Sequence, residues 1–75
     1  MLPRYGPWHQ VILLRDLKGM RSVDLARAAG ISRGYMSDLE LGRRWPTHTV
    51  TVKIATALDA PPNMIARQRQ RRVAS

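Results

Sequence analysis

Gly19, Gly30 and Gly42 cut this chain into short segments in which apolar residues recur at spacings of three and four, the period of a helix with one buried face. From His9 to Lys18 the stripe is Val11, Leu14 and Leu17, widened by Ile12 and Leu13, and Gly19 ends it. Arg21 or Ser22 caps a second helix, Asp24 lies in its first turn where the helix dipole favours negative charge, and Leu25, Ala26 and Ala29 form its buried side up to Gly30. Ser32 caps a third helix that buries Met36 and Leu39 and stops at Gly42. Thr47 caps a fourth, whose apolar face is Val50, Ile54 and Leu58 or Val52, Ala55 and Leu58. The β-branched run from Thr47 to Val52 weakens that helix. Pro61 and Pro62 suit a helix start, so a fifth helix is expected to run through Ile65 into Arg67 to Arg72. The fold class is therefore all-α, a five-helix bundle.

Length and charge bound the rest. Seventy-five residues make one small domain. Residues 1–7, with Pro3, Gly6 and Pro7, read as an irregular arm, residues 8–66 as the folded domain anchored by Trp8, and residues 67–75 as a basic tail. There is no cysteine, so neither a disulfide nor a thiolate metal site contributes. Lys and Arg number 13 against 5 Asp and Glu, and the net charge of +8 points to an anionic polymer or surface as partner. The longest apolar run, Val11 to Leu14, is too short for a signal-peptide core or a membrane span, so a cytoplasmic location without membrane contact is expected. His9 and His48 lie far apart with no third ligand at metal spacing, and no nucleophile is paired with a base. The expectation is no metal, no cofactor, no small-molecule substrate and no enzyme.

Two short helices around a glycine turn match the helix-turn-helix plan, in which the second helix enters the DNA major groove. The stretch SVDLARAAGISRGYMSDLELGRRWP, Ser22 to Pro46, resembles the helix-turn-helix of the lambda Cro and C1 repressor family of phage and bacterial regulators. Ala26 stands where the family keeps a small residue at the helix crossing, and Gly30 where its turn needs a left-handed backbone. Ile31, Met36 and Leu39 occupy its buried positions, and LELGRRWP reproduces its signature after the recognition helix. Arg15 falls at the family's helix 1 arginine, and Ala55 and Leu58 at the Ala and Leu of its fourth helix. The resemblance spans about Val11 to Ile65.

What the resemblance implies can be set out residue by residue. Arg33, in the first turn of the third helix, is placed to meet O6 and N7 of a guanine or, failing that, a phosphate. Gly34 has no side chain and permits close backbone approach to the bases. Ser37, on the same face, either touches a base edge or is a small residue that lets the helix seat deeply. Asp38 either accepts from a cytosine amino group or pairs with a neighbouring arginine. Tyr35 either donates its hydroxyl to a phosphate or packs its ring on the core. The family often opens its second helix with Gln; Ser22 here offers a shorter hydroxyl and a backbone N–H to phosphate. Arg43 and Arg44 follow the recognition helix where the family's loop lies along the DNA backbone. Thr47 caps the fourth helix, with a phosphate contact as its second role. Arg15 and Glu40 form a structural ion pair tying helix 1 to the recognition helix. The tail arginines, Arg67, Arg69, Arg71 and Arg72, serve as a phosphate arm, a helix extension facing a partner, or solubilising charge.

The resulting expectation is a sequence-specific regulator of transcription, a Cro-like repressor binding a double-stranded DNA operator. One module reads few base pairs, so a homodimer on half-sites roughly 34 Å apart is expected. The resemblance is to the short Cro type rather than to long repressors with a separate dimerising part. Two other classes use the same features: an antitoxin, which binds a protein toxin through this fold, and a non-specific nucleic-acid or anionic-membrane binder that uses charge alone.

Overall fold

Helix ends leave backbone groups unpaired, and in this chain particular residues meet that demand. In the computed structural model, which describes residues 5–67, the elements are α1 (His9–Leu17), α2 (Ser22–Ala29), α3 (Arg33–Leu41), α4 (His48–Ala57) and α5 (Pro62–Ile65), with no strand among the described residues. Arg21, not Ser22, holds the cap position of α2: its backbone N–H donates to Asp24 Oδ2 at 3.0 Å. Ser32 Oγ accepts from Tyr35 N at 3.1 Å to open α3, and Thr47 Oγ1 accepts from Val50 N at 3.1 Å to open α4. Gly30 and Gly42 close α2 and α3 at φ 73° and 83°, a region that disfavours any side chain.

The β-branched start of α4 is helical because capping and burial outweigh propensity. Thr51 turns its hydroxyl back to Thr47 O at 3.0 Å, and Thr51, Ile54, Ala55 and Leu58 form one buried face at helical spacing. That face combines parts of both stripes expected for this segment. It meets Leu25, Ala26 and Ala29 of α2, Met36 and Leu39 of α3, Val11 of α1 and Ile65 of α5 in one core. Trp8, ahead of α1, is fully buried and donates its indole N–H to Ile65 O at 2.9 Å, so the start of the folded chain is tied to its last helix.

Two expectations change. Leu17 belongs to the apolar stripe of α1 by spacing, yet it is 75% exposed, with Leu13 at 61%. The stripe of α1 is wider than the core it faces, and only Val11 is fully covered. The fifth helix is one turn long: Ala66 leaves it with φ −53° and ψ 123°, and Arg67 bends back toward the other end of the chain instead of continuing the helix. The tail arginines Arg69, Arg71 and Arg72 lie outside the described residues, as does Arg4 of the arm. No described helix is long and apolar enough to cross a membrane.

Candidate nucleic-acid interface

The spacing of apolar residues in α3 decides which side is free. Met36, Leu39 and Glu40 face inward and are buried, which leaves Arg33, Gly34, Ser37 and Asp38 on the outer side, at i, i+1, i+4 and i+5. Arg33 and Gly34 are exposed, and Ser37 and Asp38 are half-buried. A Cβ at Gly34 would meet nothing within 4 Å, so the missing side chain is not demanded by this chain's own packing. Tyr35 is half-buried and packs against the core.

The orientation of that face is fixed from behind. Arg15 of α1 grips Glu40 of α3 through two hydrogen bonds, Nε to Oε2 at 2.7 Å and Nη2 to Oε1 at 2.9 Å, and its Nη1 donates to Met20 O at 3.1 Å. The hydrogen bond to Glu40, acting against partial burial, raises the guanidinium pKa above its ordinary value. Glu40 O also accepts from Trp8 N at 2.9 Å. A two-pronged, largely desolvated pair fixes rotation as well as distance, so α3 cannot roll without breaking it.

Beyond α3 the arginines expected on phosphate and one residue expected at the bases come together. Arg43 Nη1 lies 3.5 Å from Asp38 Oδ1, and Arg44 Nε lies 3.4 Å from Asp38 Oδ2. Both arginines are more than half exposed, and contacts this long in water hold weakly. The group carries one net positive charge and leaves guanidinium N–H groups for another acceptor. Ser22 stands at the start of α2 and Thr47 at the start of α4, where Thr47 spends its hydroxyl on the cap.

Tyr5 and Trp45, which sequence reasoning left out of the site, and Arg67, which it weighed only as part of the basic tail, surround this loop. The Tyr5 and Trp45 rings meet edge to face at 5.1 Å between centroids, and Arg67 Cζ sits 5.5 Å from the Trp45 ring centroid. Arg67 Nη2 donates to the carbonyls of Tyr5, at 2.6 Å, and Gly6. Burial lowers the Arg67 pKa from its ordinary value. Composition hides this cluster, because Tyr5 lies in a Pro- and Gly-rich arm and Arg67 in a basic run. Tyr5 in the arm and Trp45 in the basic loop were the available signals, and no aromatic residue stands near Arg67 in the sequence.

Known proteins place this arrangement. The helix-turn-helix domain family matches residues 10–68. The crystal structure of the restriction-modification controller protein C.AhdI from Aeromonas hydrophila is similar, with a TM-score of 0.75 and 33% identity over 77% of this chain and 88% of that one. A hypothetical transcription factor from Neisseria, NHTF, has a TM-score of 0.75 and 27% identity over 87% of this chain and 83% of that one. No functionally curated protein matches the chain. With most of its length inside the family match, and with α2, the Gly30 turn and α3 built as described, the chain belongs to the helix-turn-helix domain family and has the fold of a transcription regulator.

Proposed function

We propose that the chain is a sequence-specific double-stranded DNA-binding regulator of the Cro-like repressor type, with α3 in the major groove. The observation that carries this reading is the outer face of α3: Arg33, Gly34 and Ser37 have no role in the core, while Arg15 and Glu40 fix the direction in which that face points. A cation at the start of such a helix suits bidentate pairing with guanine, worth about 1–3 kcal/mol of discrimination. Arg43 and Arg44 then neutralise phosphates, with Ser22 and Tyr35 as neutral partners and Thr47 as a second-rank one. Asp38 serves as the counter-charge that orients the arginine pair. The similarity to a controller protein and to a transcription factor supports a regulatory role.

Two copies reading half-sites give the specificity that one short helix lacks. Leu13 and Leu17 of α1 are exposed beside the exposed Met64 of α5, an apolar surface that this reading assigns to the second copy. Selection of binding sites from random duplexes tests the whole reading, the expected product being a palindrome with half-sites about one helical turn apart. On that site Arg33→Ala should flatten preference at one position per half-site, whereas Arg43→Ala should weaken operator and scrambled duplex alike. Affinity for the operator that ignores salt concentration would overturn the reading.

A further inference from the structure

The connection from α3 to α4 begins with local bonds, Arg43 N and Arg44 N both donating to Asp38 O, at 2.8 and 3.3 Å. Beyond these, the arm and Arg67 hold it at two further points, on either side of Arg43 and Arg44. At the first, Tyr5 N donates to Gly42 O at 2.8 Å, and the arm crosses so closely that a Cβ on Gly42 would lie 2.0 Å from Gly6 O. At the second, the Trp45 ring contacts both the Tyr5 ring and the Arg67 guanidinium. Arg67 joins the two points, since the group that stacks on Trp45 also donates to Tyr5 O and Gly6 O.

We propose that Arg67, with Tyr5 and Trp45, is a strap that positions Arg43 and Arg44 for phosphate before DNA arrives; this rests on the DNA-binding reading above. The cost of Arg67 argues that it does more than fill space. Its Nη1 is buried with no hydrogen-bond partner among the described residues, and no described carboxylate pairs with it. Two carbonyls and an aromatic face offset the desolvation of the cation. Loop-and-arm packing alone would be met more cheaply by an apolar side chain. A planar guanidinium, however, can hold two carbonyls in its plane while a ring covers its face, which fixes the arm and the loop in one geometry. The backbones of Arg43 and Arg44 are also tied to the end of α3, both N–H groups donating to Asp38 O, at 2.8 and 3.3 Å, whereas their side chains meet the Asp38 carboxylate only at 3.4–3.5 Å in an exposed setting. Such contacts leave long side chains mobile. Ordering the backbone in advance removes part of the entropy that binding would otherwise cost, worth up to roughly tenfold in affinity for two such side chains.

The test uses the full chain and two probes, the selected operator and a random-sequence duplex. Trp45→Leu removes the platform without changing charge, and Arg67→Lys keeps the charge without the planar fork. Both variants, folded by circular dichroism, should bind both duplexes roughly tenfold more weakly. The slope of log affinity against log salt should become shallower by about one to two units, while base preference on the operator stays as in the parent. The neutral Trp45→Leu change is decisive, because it deletes no cation and can alter the slope only through the arginines that remain. Folded variants with the parent's affinity and slope would overturn the proposal. Backbone ¹⁵N relaxation on the free parent chain provides a reading independent of variant folding: residues 43–45 should be as rigid as the helices on the ps–ns timescale. Mobility there would overturn it equally. A parent chain that binds neither duplex would defeat the DNA reading instead, and the relaxation result would still decide whether the strap orders the loop.

Discussion

Two glycine turns flank α3, and both adopt the left-handed backbone, Gly30 at φ 73° and Gly42 at φ 83°. Their surroundings differ. A Cβ on Gly30 would meet nothing within 4 Å, whereas one on Gly42 would run into the backbone of Gly6. The entry to α3 is thus set by local geometry, with Ser32 capping the helix and Ile31 N donating back to Ala26 O at 3.0 Å. The exit has the matching local bond, Arg43 N to Asp38 O at 2.8 Å, and adds tertiary contact with the arm and with Arg67. Entry therefore leaves the first turn of α3, with Arg33 and Gly34, open to solvent, while exit holds the arginine loop against the protein.

Substituting the two glycines gives the largest separation between these designs. Gly42→Ala combines left-handed strain of about 1–2 kcal/mol with an overpacking cost of about 1–3 kcal/mol, because Gly6 must move. Its urea unfolding should show a loss of up to about 5 kcal/mol from those two sources. Next in size is the support behind the helix. Arg15→Ala and Glu40→Ala should each cost about 2–3 kcal/mol, below the range for fully buried pairs, since the Arg15 side chain keeps 18% of its exposure. The double variant should lose less than the sum, which a double-mutant cycle on thermal melts reads directly. Gly30→Ala should cost only the backbone strain, about 1–2 kcal/mol. Equal losses at Gly30 and Gly42 would break the contrast between an open and a closed turn.

That contrast also marks how much the sequence tells. Periodicity and caps suffice for five helices, for the inward set Met36 and Leu39, and for the glycine ends, because those depend on near neighbours in the chain. The pairing of Arg15 with Glu40 follows from resemblance, and no spacing rule predicts a contact between residues 25 apart. Leu17 is misplaced by the same periodicity, since a stripe shows which residues share a side but not how far the neighbouring helices reach across it. The Tyr5, Trp45 and Arg67 cluster joins both ends of the described chain to its middle. Proline and glycine content in the arm and arginine content in the tail describe local freedom and charge. Neither reports that Gly42 lacks room for a methyl group because Gly6 passes over it.

The smallest expected effect lies at the other end of the unit that Gly30 closes. At the start of α2, Asp24 Oδ2 accepts from Arg21 N at 3.0 Å and from Arg21 Nε at 3.1 Å, and Oδ1 accepts from Arg21 Nη2 at 3.1 Å. The Arg21 side chain, and then its backbone N–H, hold the Asp24 pKa at about 2, below the ordinary 3.8. A carboxylate whose pKa is depressed on folding binds its proton less readily in the native chain than in the unfolded one. Its contribution to stability is therefore complete above pH 3.8 and disappears as the pH falls from there through about 2. Water surrounds the pair, with 76% of the Arg21 side chain exposed, so the effect should be smaller than that of any substitution above. Urea midpoints of the parent and Asp24→Asn should differ by a constant amount above about pH 4 and converge toward pH 2. An NMR titration of the Asp24 carboxyl with its midpoint near 3.8 would show that Arg21 does not hold the charge. The start of α2 would then be as locally determined, and as little reinforced by ion pairing, as the turn at Gly30.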